Sequence, residues 1–178
     1  MKTILAFTMI LTTLFLSESV AQDGKMKSDE NKMTKQVAMS IHEAQNIITD
    51  YLNLKDALVS TNGELASTAA GKMLTTIGRN KSDLLDKIRF DVEHIAGTKD
   101  VSHQRDHFSS LSDNLYLFAK EIGPINSPLY YQYCPMATQG EGAYWLSANK
   151  EIKNPYFGDK MLRCGSTKET IYENNDHE

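Results

Sequence analysis

The sequence predicts a mainly α-helical protein: an antiparallel four-helix bundle that carries an irregular, aromatic-rich C-terminal lobe. Three observations lead there. Apolar residues recur three, four and seven apart in four successive stretches between Thr34 and Ile122. Short turns built from Ser, Asn, Gly and Pro separate those stretches, and short connections favour antiparallel neighbours. Residues 128–165 then hold both cysteines, the single Trp and seven of the fifteen aromatics, yet Gly140, Gly142, Pro155 and Gly158 interrupt them.

The chain opens with Lys2, an apolar run from Ile4 to Leu16 and the small-x-small pattern Ser19-Val20-Ala21. This reads as a signal peptide over residues 1–21, cleaved before Gln22. Residues 22–33 are charged and aperiodic, a flexible leader. Residues 34–178 read as one domain, with the lobe at 128–165.

The first helix is expected from Thr34, its N-cap, to Ser60. Its stripe is Val37, Ile41, Ala44, Ile48, Tyr51 and Leu58, with Glu43, Asn46, Asp50 and Lys55 off it. Thr61 and Glu64 have capping-box spacing for the second helix, whose stripe is Leu65, Ala69, Met73 and Ile77 before a stop at Gly78. Ser82-Asp83 opens the third, with Leu84, Leu85, Ile88, Val92 and Ile95 inward and Gly97 at its end. Asp100 caps the fourth, which runs through Val101, Phe108, Leu111, Leu115, Phe118 and Ile122 to Gly123-Pro124. Residues 166–178 read as a fraying tail in which Ile171 and Tyr172 are candidates to dock.

The net charge of −4 gives no footprint for nucleic acid or an anionic membrane surface. The mature chain shows no stretch long and apolar enough to span a bilayer. It also lacks a βαβ alternation, a phosphate-binding glycine loop, a nucleophile elbow and a zinc-protease helix. No acid/base or nucleophile set stands out, so the reading is not enzymatic.

Chemistry concentrates in two places. Cys134-Pro135-Met136 and Met161-Leu162-Arg163-Cys164 bracket the lobe with thiol and thioether donors. Soft donors of this kind suit Cu(I), with Zn(II) possible through thiolates and imidazole. The competing reading is a Cys134–Cys164 disulfide in an exported protein, worth roughly 3–4 kcal/mol on the chain-entropy account, with two packing methionines. His103 and His107 lie four apart on the fourth helix and so share one side of it. His107 flanks the apolar stripe and can reach the lobe; His103 points further into solvent. His42, His94 and His177 read as surface residues, Asp56 as a solvated helix carboxylate. Trp145, Tyr144, Tyr156 and Phe157 read as lobe core rather than a ligand platform.

The runs YxxLKDALV at 51–59, HQRDHFSSLSDNLY at 103–116, YCPMA at 133–137, GAYWLS at 142–147 and EIKNPYFGDKMLRCG at 151–165 resemble the family called domain of unknown function 3347. That domain occurs as small exported bacterial proteins and attached to periplasmic adaptors of Cus-type copper and heavy-metal efflux systems. The resemblance implies metal handling in the periplasm. Carried onto this chain, it points to Cys134, Met136, Met161 and Cys164, with His107 from the HQRDHF run and His103 as a further candidate. Related sequences often have His before the CPM cysteine, where this chain has Tyr133. The chain has no room for the adaptor's hairpin and barrel domains, so work with an efflux adaptor would be in trans. The expected function is a periplasmic soft-metal binding protein, with copper as the ion; the alternative is a disulfide-stapled envelope interaction module without metal.

Overall fold

A computed structural model describes residues 39–123 and 127–172. The expected signal peptide, the leader and the Thr34 cap lie outside the described residues, as does Pro124. Among the described residues are four helices, α1 (Ile41–Val59), α2 (Gly63–Ile77), α3 (Asp83–Ala96) and α4 (Val101–Ile122), and three strands, β1 (Leu129–Cys134), β2 (Ala143–Ser147) and β3 (Ser166–Ile171). Each helix packs on the next in sequence, and α4 also packs on β2. None of these helices is long and apolar enough to cross a membrane.

Helix α1 begins later than the periodicity suggests. Ser40 and Glu43 form a reciprocal capping box: the Glu43 N–H donates to Ser40 Oγ (3.2 Å) and the Ser40 N–H to Glu43 Oε2 (2.9 Å). Two charges expected on its polar side are buried instead, Asp50 and Lys55. Asp50 receives Lys72 Nζ at 2.9 Å and the Thr76 hydroxyl at 2.6 Å, so it ties α1 to α2. Lys55 reaches back to the exposed Asp56 at 2.5 Å. Pairing of this kind is what a buried charge needs.

Asn62, not Thr61, caps α2, its Oδ1 accepting the Leu65 N–H at 3.0 Å. Thr61 instead takes the turn between the helices, at φ +53°. The buried face is Ala66, Ala70, Met73 and Ile77, which leaves Leu65 exposed and Ala69 half-buried. Ser82 and Asp100 cap α3 and α4 as expected, accepting the N–H groups of Leu85 and Ser102.

The C-terminal segment is not irregular. It contains an antiparallel sheet in the order β2-β1-β3, with Gln132 opposite Trp145 on one side and opposite Thr167 on the other. Strand β3 uses residues read from the sequence as tail; Ile171 is buried and the Tyr172 hydroxyl donates to the Ala119 carbonyl. Gln132, Cys134, Trp145 and Leu146 are buried. On the face away from Gln132 and Trp145, Tyr144 stacks on Tyr131 (centroids 4.7 Å apart) and lies tilted against Tyr133 (4.5 Å), and Tyr116 of α4 stacks on Tyr131.

One hydroxyl joins the two parts. Tyr51 of α1 is fully buried and its ring stacks on Phe108 of α4 at 5.3 Å. The Ser112 hydroxyl proton goes to the Phe108 carbonyl (2.7 Å), so Tyr51 donates to Ser112 Oγ (2.7 Å) and accepts the Leu146 N–H of β2 (3.1 Å). Burial raises the Tyr51 pKa far above the ordinary range, so the phenol stays neutral.

Candidate functional site

The donors singled out in the sequence divide into two groups. The first lies where β1 ends and β3 begins. Tyr133 pairs with Ser166, so Cys134 and Cys164 fall just beyond that last rung of the ladder. Both are free thiols, and the Cys134 side chain is the strongest single influence on that of Cys164. Cys134 is fully enclosed and Cys164 half-buried. The neighbouring Cys134 thiol, followed by burial, pushes the Cys164 pKa up, while the Met136 N–H acts the other way.

Tight turns hold both cysteines in place. The Ala137 N–H returns to the Cys134 carbonyl (3.4 Å) and the Cys164 N–H to the Met161 carbonyl (3.0 Å). Asn154, fully buried, organises the second turn. Its Nδ2 donates to the Cys164 carbonyl (2.8 Å), its Oδ1 accepts from Tyr156 N–H (2.8 Å) and Phe157 N–H (3.3 Å), and its own N–H donates to the Leu162 carbonyl (2.9 Å). Gly165 has φ +141°, and a Cβ there would meet the Tyr133 carbonyl at 2.8 Å and the Trp145 ring at 2.9 Å, so only glycine fits this approach. Trp145 is fully buried against Tyr156, as expected of lobe core. Both methionines sit on the cysteine-bearing turns, Met136 exposed and Met161 half-buried.

Arg105 of α4 braces the same segment from below. Its guanidinium donates to the Pro155 carbonyl (2.7 Å), the Leu58 carbonyl (3.0 Å) and the Thr61 hydroxyl (3.1 Å). Desolvation lowers its pKa. A cavity of about 720 Å³ opens beside it, lined by Met136, Glu141, Tyr156 and Phe157 among others.

The second group is His107 with residues the sulfur reading does not include. His107 does not join the cysteines in a ligand group. Among the described residues, the group of three or more His, Cys, Asp or Glu side chains with converging ligand atoms is His94, His103 and His107, all within 4.8 Å of one another. His103 and His107 share one side of α4, as their spacing requires. His94 comes from the last turn of α3 and stacks on His107 with centroids 4.2 Å apart and planes 12° apart. The sequence reading leaves His94 as a surface residue. It is exposed, but its partners become visible only once α3 packs on α4. The Nδ1–H of His107 donates to Asp91 Oδ1 at 3.0 Å, and Asp91 is buried.

Residues 47–127 match the model of a family described as protein of unknown function (DUF3347). The match covers most of α1 and all of α2–α4 and ends before β1. No curated protein and no solved structure matches the chain.

Proposed function

We propose that this chain, which matches the DUF3347 model, binds a soft metal ion, Cu(I), as its cargo, through the thiolates of Cys134 and Cys164. The observation that carries the reading is the Tyr133–Ser166 rung, which brings these two free cysteines to the same end of the sheet though they stand thirty residues apart in the chain. Paired thiolates with a thioether at hand favour Cu(I) over hard cations, which want oxygen ligands. Met136 and Met161 are the candidate thioethers, because each lies on the turn that carries a cysteine. His107 is left out of this set; its contacts are to α3 and to its own helix. The role includes export by the segment 1–21 and work beside a Cus-type efflux adaptor in trans, for which the signal-like pattern and the family resemblance speak. The scaffold is an antiparallel four-helix bundle, a reading supported by short connections and by the packing of each helix on its successor.

The test is titration of the reduced full chain with Cu(I) against a competing chelator. Wild type takes up one ion, and the Cys134→Ser, Cys164→Ser double variant loses that uptake. Equal uptake by the two would end the metal reading at this site. The same placement favours a second reading, a disulfide-stapled interaction module without metal. Counting free thiols in protein purified without reductant separates the two: two free thiols for the metal site, none for the staple.

A further inference from the structure

We propose that His94, His103 and His107 form a metal site of their own, for a borderline divalent ion such as Zn(II) or Cu(II), separate from the sulfur pair. The proposal goes beyond the Cu(I) reading and does not depend on it.

Imidazole is the ligand that Zn(II) and Cu(II) share, and three imidazoles with an open fourth position make a known zinc arrangement. Ligand atoms around a tetrahedral zinc, each about 2.0–2.1 Å from the ion, lie roughly 3.3 Å apart. Here the three converge to within 4.8 Å without an ion. The remaining approach is a matter of side-chain rotation, and His94 and His103 are exposed and free to make it. His107 is the fixed member. Asp91, buried on α3, accepts its Nδ1–H at 3.0 Å and so leaves Nε2 as the outward lone pair. A carboxylate behind a histidine is the arrangement that orients a metal-binding ring and raises its basicity.

A second observation points the same way. Phe90 is a large apolar side chain left 56 % exposed, yet its ring packs on His94 at 4.7 Å and on His107 at 6.0 Å. It walls one side of the cluster against water. Phe90, Asp91, Asp86, Lys87 and Ser110 line a hollow of about 420 Å³ next to the rings, in which the carboxylates outnumber the single amine.

The experiment is titration of metal-free full chain with Zn(II) alone, against a chromophoric chelator. Wild type binds one Zn(II), and His94→Ala and His103→Ala each weaken it by at least about tenfold. Asp91→Asn weakens it by roughly ten- to a hundredfold if it acts through His107. His42→Ala leaves affinity unchanged, as does the Cys134→Ser, Cys164→Ser variant. In that variant, which has no thiol to reduce the ion, bound Cu(II) shows an electron paramagnetic resonance spectrum with nitrogen splittings that His103→Ala reduces. The proposal is overturned if wild type binds no stoichiometric Zn(II), if the His94→Ala and His103→Ala variants match wild type, or if removing the cysteines alone abolishes Zn(II) binding. Since Cu(I) is read on the cysteines and Zn(II) on the histidines, either site can fail while the other stands.

Discussion

The sulfur end of the sheet and the imidazole face of α3 and α4 present their donors in opposite ways. Cys134 is fully enclosed, and Cys164 hangs from a turn fixed by the four hydrogen bonds of Asn154. His94 and His103 stand in solvent on helices whose apolar faces point elsewhere. Donors built into a core are set by the fold, so changing them or their supports changes stability as well. Donors on an exposed helix face are set by rotamers, so changing them alters chemistry and little else.

Substitutions can break or sharpen this contrast. The largest effect is expected at Trp145, whose ring is buried against Tyr156 and the Gly165 turn. Trp145→Ala should cost about 3–5 kcal/mol in urea unfolding. A cost under about 0.5 kcal/mol would mean that the ring does not support the sulfur end at all. Next comes Asn154→Ala, which orphans a carbonyl and two N–H groups; a loss of roughly 2–3 kcal/mol is expected by the same measurement. Smaller still is a titration effect. Cys134 and burial hold the Cys164 thiol protonated beyond its usual pH. Because the thiolate is the nucleophile, alkylation of Cys164 at pH 8 should be slower than that of a free cysteine, with its rate rising at higher pH than usual. Cys134→Ala should bring that midpoint down; an unchanged or higher midpoint would remove Cys134 as the cause. At the bottom of the scale, His94→Ala and His103→Ala should each shift unfolding free energy by less than about 0.5 kcal/mol. A larger loss would make these rings part of the fold and erase the contrast.

The helices were legible because their apolar stripes repeat at the helical period, and the caps Ser82 and Asp100 were legible because nothing competes with them. The α1 start was misplaced for a local reason: Val37 continues the stripe, but the reciprocal bonds of Ser40 and Glu43 set the boundary. At α2 the Thr61–Glu64 spacing forms no capping box; Asn62 caps the helix alone, and the first half of the buried face lies one residue later, at Ala66 and Ala70, while Met73 and Ile77 are buried as expected. The strands were harder. Their pairing joins β1 to residues on both sides of a loop rich in Gly and Pro, and β3 is mostly polar, so no apolar pattern marks it. Cys134 and Cys164 could be picked out by residue type, and the ladder explains why they fall at one end of the sheet. His94 could not, since its value lies in a neighbour on another helix. One signal was present: the pair Phe90 and His94, four apart, puts an aromatic and an imidazole on the same side of α3.

The Tyr51 hydroxyl has a consequence for how the molecule comes apart. It bonds Ser112 of α4 and the Leu146 amide of β2, which lies ninety-five residues away along the chain. Lifting the sheet from the helices would strand a buried phenol and a buried amide together, a cost that neither part can recover alone. Helices and sheet should therefore melt as one cooperative unit. Trp145 fluorescence, which sees the sheet, and far-ultraviolet dichroism, which sees the helices, should report a single coincident transition. In Tyr51→Phe the two curves should begin to separate, with the tryptophan signal moving first.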